Sequence, residues 1–288
     1  MSVTQKVAIV TDSLACLTRG LVEEYEIGVV PLNIHFEGKV YKDWVDITPS
    51  QSYELFLKNP DSWGSSAPSP ADFLKAFCEA SQQTKSILCV TISAKLSATY
   101  DAPQVAKEQA EAELPGTAIA VLDSQTTTAA EGFVALAAAR AAAEGQNLAE
   151  VIKATKEIRD KVRFFAFLDT VRHVYRSGRI PKIASQAGSI LHIKPILTVS
   201  SGLVHFAGVV RSRKSGVERL LKAMRDKVGL RPVHVAVMHA YALDEGERLK
   251  ERISSEFNCA ELWLTEFSPV MGYACGTGTL GIAFYSGD

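Results

Sequence analysis

Four hydroxyls in one short loop, Thr91, Ser93, Ser97 and Thr99 of TISAKLSATYDAP, are the side chains in this sequence best spaced to do chemistry. They follow an apolar run, Ile87-Leu88-Cys89-Val90, that reads as a buried strand. They lead into a segment that reads as helix from about Ala98. A strand-to-helix loop that cradles a nucleotide usually carries glycines and a lysine placed for the phosphates, and this one has no such pattern. Hydroxyls supply hydrogen-bond donors without charge, and a helix N-terminus adds unpaired N–H groups and positive partial charge. Two or three such donors hold a carboxylate, whereas a triphosphate usually needs a lysine or a metal as well. The loop therefore suits a small anionic head. Ser97 acting only as a helix cap fits the same spacing.

Two more apolar runs end in hydroxyls, at Thr11-Asp12-Ser13 and at Asp123 through Thr128, and Ser65-Ser66 precedes a further helix start. Asp12 and Asp123 could form a carboxylate pair, or simply brace loops. Gly276, Gly278 and Gly281 match a dinucleotide fingerprint, but that pattern needs a strand before it and a helix after it, and only a strand follows. The sequence contains no GxSxG elbow, no HExxH and no zinc-like His/Cys spacing. From Val171 to Val217 there is no acidic residue, while Arg172, Arg176, Arg179, Lys182, Lys194, Arg211, Arg213 and Lys214 are all basic. That stretch reads as a solvated face, a docking surface for an acidic or phosphate-bearing partner, or, with little aromatic interleaving, a nucleic-acid surface.

The elements that must position these residues follow an α/β grammar. A length of 288 residues suits two domains, and 47% hydrophobic with 22% charged residues is ordinary for a globular chain. A net charge of −1 argues against nucleic acid. The opening MSVTQKVAIVTDS has no secretion-signal pattern, no run reaches membrane-span length, and the five cysteines show no CxxC, so a cytoplasmic protein with reduced thiols is expected. Strands are predicted at 7–12, 28–36, 86–93 and 117–124, alternating with helices that start at Thr48-Pro49 and at the Ser69-Pro70-Ala71-Asp72 capping box. An alanine-rich helix is predicted over about 128–144 and another near 147–160. Thereafter RFFAFLD, a hairpin turning at Ser200-Ser201-Gly202, HVAVMHA, ELWLTEF and TLGIAFY read as strands of a mixed sheet.

With these pieces in place the chain resembles the DegV family, fatty-acid-binding proteins that include the binding subunits of bacterial fatty acid kinase. The likeness runs nearly end to end. It rests on VAIVTDS, VVPLNI with DWVDI, SSAPSPADFLKAF, TISAKLSATYDAP, VLDSQTTTAAEG, YRSGRI, SILHIKPIL and RSRKS, in that order. The resemblance implies an N-terminal three-layer α/β/α domain with a mainly parallel sheet, over 1–159. It implies a C-terminal two-layer α/β domain with a mixed six-stranded sheet, over 160–288. A long-chain fatty acid would lie between them as ligand, with no cofactor and no metal. Its carboxylate would rest on Ser97, Ser65 and Ser66, with Ser93 and Thr99 beside them. Ile183, Ala187, Ile190 and Leu191 are the acyl-tunnel candidates. Arg176, Arg179, Arg211 and Arg213 would face a partner, a dihydroxyacetone-kinase-like ATP-binding protein that phosphorylates the presented carboxylate.

Three positions depart from the family pattern: Ala274 stands where a histidine is usual, and Ala98 and Ala67 replace a glycine and a glutamine. The expectation is a lipid-binding protein rather than an enzyme, with neither nucleic acid nor integral membrane association. Two alternatives stay open: a lipid-responsive regulator without a kinase, and an acyl hydrolase or transferase using Ser97 or Ser93.

Overall fold

The computed structural model describes residues 7–170 and 193–287. Strand β1 (Ala8–Asp12), helix α1 (Arg19–Glu24) and β2 (Gly28–Val30) open the chain. It then leaves their sheet, and β3 (Asn33–Phe36), β4 (Lys39–Lys42) and, after helix α2 (Pro49–Lys58), β5 (Trp63–Ser66) make a separate antiparallel sheet in the order β4-β3-β5. Residues 28–36 are therefore two strands in two sheets, not the single strand their apolar pattern predicts. Pro31 stands at the break, where its fixed φ and missing N–H stop a ladder. Helix α3 (Pro70–Ser81), β6 (Ser86–Thr91), α4 (Asp101–Glu113) and β7 (Ala118–Asp123) complete a parallel sheet in the order β2-β1-β6-β7.

Helices α5 (Thr128–Ala143) and α6 (Leu148–Lys161) lead to the second sheet. Its strands are β8 (Arg163–Phe167), β9 (Lys194–Ser200), β10 (Leu203–Val210), β11 (Val233–His239), β12 (Cys259–Glu266) and β13 (Leu280–Ser286), in the order β10-β9-β8-β13-β11-β12. Only β11 and β12 pair in parallel among the described residues of this sheet. Helices α7 (Arg213–Val228), α8 (Leu243–Glu256) and the short α9 (Pro269–Cys275) complete the described part. This is a two-domain α/β fold with one parallel sheet and one mixed six-stranded sheet.

Local chemistry explains most boundaries. Thr48 with Gln51 and Ser69 with Asp72 form full capping boxes ahead of Pro49 and Pro70. The hairpin turns Glu37-Gly38 and Ser201-Gly202 both take positive φ at their two central residues, the geometry that matches the twist of the flanking strands.

The layers explain the alanines. Helices α3 and α4 cover one face of the parallel sheet through Phe73, Phe77, Ala102 and Ala106. Helix α5 covers the other face and also packs on the six-stranded sheet, in one core running from Ile9 and Val90 to Ala236, Met238 and Ala283. A helix buried on all sides has no polar face to present, and alanine lets two sheets close on it. Gly132 sits at a close approach, where an added Cβ would lie 2.4 Å from the Ala15 carbonyl oxygen. Gly132→Ala is expected to lower unfolding free energy by about 1–3 kcal/mol, because backbone must shift to admit the methyl group. A denaturant titration with an unchanged midpoint would refute this.

Candidate functional site

A cavity of about 330 Å³ lies between the two domains, outside the carboxyl ends of β1 and β6. Its walls are mostly apolar: Leu14, Leu32, Ile92 and Leu96 from the first domain, and Phe164, Ala166, Leu197, Val199 and Val204 from the inner face of the six-stranded sheet. Helix α9 adds Val270, Met271, Tyr273, Ala274 and Cys275. Among the described residues the cavity's hydroxyl side chains from the first domain are Ser65, Ser66, Ser97 and Thr127. An apolar chamber with a few hydroxyls is the arrangement of a pocket for an amphiphile.

The hydroxyl loop divides its labour. Ser97 lines the cavity and also caps the turn after it: its Oγ accepts from the Thr99 N–H at 3.2 Å and lies 2.8 Å from the Thr99 hydroxyl. Thr99 is buried behind Ser97 and is not part of the wall. Ser93 is not part of it either. Its hydroxyl donates to the Gly202 carbonyl at 2.8 Å, and its N–H donates to the Thr126 carbonyl at 2.9 Å, so it staples the loop to the β9–β10 turn. Strand pleating separates Ser65 from Ser66. Register puts Ser65 opposite Ile34 and Ser66 opposite Asn33, on opposite faces of the sheet. The Ser66 hydroxyl is held there by Asn33 Nδ2 at 3.2 Å and lies 2.9 Å from His35 Nε2. Sequence reasoning did not find this contact. Its signal is the alternation in LNIHF, which puts Asn33 and His35 on one face, but only the β3–β5 pairing brings Ser66 to them.

Buried carboxyl groups hold the cavity loops from behind. Asp12 does not pair with Asp123. Its oxygens accept from the Leu14 N–H at 2.9 Å and the Ile92 N–H at 3.1 Å, and both residues line the cavity. Burial outweighs these bonds and pushes its carboxyl up to about 6. Its carboxyl partner is Glu131 of α5, fully buried and pushed well above the ordinary range by burial and then by the Asp12 charge. Neither Glu131 oxygen has a hydrogen-bond partner among the described residues, so burial beside Asp12 favours its neutral form over the charged one. Asp123 braces its own loop, accepting from Gln125 N–H at 2.7 Å and Ala94 N–H at 3.3 Å. Asp43 accepts from the Ser13 and Ser268 hydroxyls, both at 2.8 Å, and so ties the loop after β1 to the start of α9. Burial pushes Asp43 up to about 6 as well. Neither Glu131 nor Asp43 stands out in the sequence, because their partners lie far away along the chain.

The basic stretch is also divided. Arg211 is exposed. Arg213 is held by Glu245, by Asp169 at 3.0 Å and by the Gly278 carbonyl at 2.9 Å, a knot that joins α7 to the loop before β13. The predicted GxGxxG segment is that loop. Gly276 and Gly278 have positive φ, and a Cβ on Gly281 would meet Phe267 at 2.6 Å. Arg176, Arg179, Ile183, Ala187, Ile190 and Leu191 lie outside the described residues. Among the described residues, no cluster of His, Cys, Asp and Glu is placed to hold a metal, no helix is long and apolar enough to cross a membrane, and no histidine bonds Ser93 or Ser97.

Comparison with known proteins agrees with the fold. A family model described as an uncharacterised protein of the DegV family matches residues 6–287. A DegV domain-containing protein of Clostridium acetobutylicum is 32% identical over 286 residues, covering 97% of this chain and 98% of the relative. Among solved structures, a DegV family protein from Thermus thermophilus, described for its fatty acid binding, superposes with a TM-score of 0.88 at 29% identity, covering 98% of this chain and 99% of that one. DegV of Bacillus subtilis, described as a fatty acid binding protein, gives 0.88 at 25% identity over 98% and 100% of the two chains. With the sequence matched from end to end and both sheets and the cavity between them in place, the chain belongs to the DegV family.

Proposed function

We propose that this protein binds a long-chain fatty acid in the cavity between its domains, divided as 1–159 and 160–288, and presents the carboxylate to a partner ATP-dependent fatty acid kinase. The observation that carries the binding is the cavity itself, mostly apolar with hydroxyls from β5 and the Ser97 loop in its wall. The fatty acid binding described for the Thermus and Bacillus relatives supports it. Each buried methylene contributes about 0.8 kcal/mol, so ten give roughly 8 kcal/mol before ordering costs. The hydroxyls then set orientation more than affinity. Ser97 is the first donor: either hydroxyl of the Ser97–Thr99 pair can donate to the other, and when Thr99 donates, the Ser97 proton is left for the carboxylate. Ser65, on the opposite pleat from the Asn33–His35 face, is the second, while the Ser66 hydroxyl braces the strand.

Presentation to a kinase rests on the exposed Arg211 beside the basic start of α7; Arg213 positions that helix rather than meeting the partner. The five unpaired cysteines support a cytoplasmic location. In this reading the protein is not itself an enzyme, and the kinase supplies the chemistry. Ser97→Ala is expected to weaken fatty acid binding by about 1 kcal/mol or slightly more, the usual net worth of one such bond. An unchanged dissociation constant would remove Ser97 from the head-group site.

The deciding experiment is native mass spectrometry of the purified protein, followed by extraction and lipid analysis. A bound fatty acid at near-unit stoichiometry is expected. A clean apo mass that takes up neither oleate nor palmitate would defeat the reading. Pull-down with recombinant partner kinase, with and without Arg211→Ala, tests presentation separately.

A further inference from the structure

A second cavity, of about 460 Å³, lies against the β9–β10 turn and has the opposite chemistry from the first. Its wall joins Thr126 of the loop after β7, Arg159 near the end of α6, Arg163 at the start of β8, Ser200 and Ser201 at the hairpin, and Lys227 of α7. Among the described residues Val199 is the one that lines both this cleft and the acyl cavity. Three cations thus reach one concave site from three different elements. Among the described residues Asp160 is the one carboxylate in the wall, and it is already paired with Arg159 at 2.9 Å. Arg163 donates to two backbone carbonyls and, among the described residues, to no carboxylate. Lys227 has no ion-pair partner among the described residues. Thr126 is only 6% exposed as a residue, and its hydroxyl makes no hydrogen bond among the described residues.

Arg159 and Lys227 sit in the last turns of their helices, where cations balance the helix dipole. That accounts for two cations, and Arg163 bonds the carbonyls at the end of α6 through Nη1 alone, which leaves its Nη2 and Nε, the Lys227 ammonium and the Thr126 hydroxyl without a bonding partner among the described residues. We propose that the cleft is a second ligand site, separate from the acyl cavity, for a small oxyanion of the phosphate class. Several oxygens on one centre answer an arginine fork, an ammonium and a hydroxyl together, which a single carboxylate does not. The concave shape favours a small molecule over a flat charged surface.

Calorimetric titration of the full chain with inorganic pyrophosphate tests this. One binding event is expected, weakened by added salt and reduced about tenfold in Arg163→Gln or Lys227→Gln through loss of a charge-assisted bond. Thr126→Val leaves the charge unchanged and is expected to lower affinity severalfold, an effect that diffuse counter-ion attraction would not show. Fatty acid uptake by each variant, expected at the wild-type level, shows that the fold is intact. Absence of binding at millimolar pyrophosphate, or wild-type affinity in either the charge variants or Thr126→Val, overturns the proposal.

Discussion

Ala274→Trp is expected to weaken uptake of oleate or palmitate by at least about 100-fold. Ala274 lies on α9 in the wall of a cavity of about 330 Å³, and it is only partly buried, so the larger side chain can enter the chamber without wrecking the core. An indole there takes the room of roughly four methylenes; at about 0.8 kcal/mol each, that loss is near 3 kcal/mol, or two decades in affinity. The measurement is a fluorescent fatty acid displacement titration, read beside the thermal midpoint of the same preparation. A folded variant that binds as tightly as wild type would put the acyl chain somewhere other than this cavity. Ser97→Ala, by contrast, should cost only about tenfold. The two variants together separate the apolar contribution from the head-group contribution.

Stability is expected to rise as pH falls from 7 toward 5, against the usual acid trend. Asp12 and Asp43 are both raised from 3.8 to about 6 in the folded protein, and Glu131 is raised well above 4.5. A raised carboxyl means the folded state binds more protons than the unfolded chain between the two values. Lowering pH through the folded value therefore favours folding, and the benefit levels off below the unfolded value near 4. His239 opposes this: burial lowers it from 6.5 to about 4, so the unfolded chain takes up its proton first and folding loses over the same window. Three carboxyls against one imidazole leave a net gain on the order of 1–3 kcal/mol between pH 7 and 5, since each tenfold difference in proton affinity between the folded and unfolded states is worth about 1.4 kcal/mol. The carboxylates held low by ion pairs, Asp72, Asp169 and Glu261, lose their contribution only at lower pH. Urea midpoints across this range, for wild type and Glu131→Gln, give the answer. The glutamine variant should show a shallower rise. A wild-type midpoint that falls steadily from pH 7 to 5 would mean that these carboxyls ionise at ordinary values in the folded protein.

Much of the architecture was legible in the residue order because its determinants are local. Thr48 and Ser69 cap helices through partners three residues away, and Glu37-Gly38 and Ser201-Gly202 turn hairpins through their own backbone freedom. Alternating apolar runs and amphipathic segments sufficed for a parallel sheet followed by a mixed one. The hydroxyl-rich loop stood out as a candidate for a small anionic head because its composition excludes a phosphate cradle of the glycine-lysine type. Even the alanine run announced a helix, although not why it needed alanine.

Tertiary structure decided which hydroxyl does what. Ser93 and Ser97 are four residues apart in one loop, yet one meets the Gly202 carbonyl, 109 residues away in sequence, and the other meets the cavity. Ser65 and Ser66 are adjacent, yet pleating against β3 sends them to opposite faces. Asp12 found Glu131 rather than Asp123 because α5 crosses behind β1, a packing relation with no trace in the spacing of either residue. The sequence determined the elements, their turns and the family, all set by interactions within a few residues or by an ordered series of motifs. The cavity, its buried carboxyl braces and the cationic cleft exist only once two sheets close on one helix. Side chains far apart along the chain meet there, and burial then sets their charge.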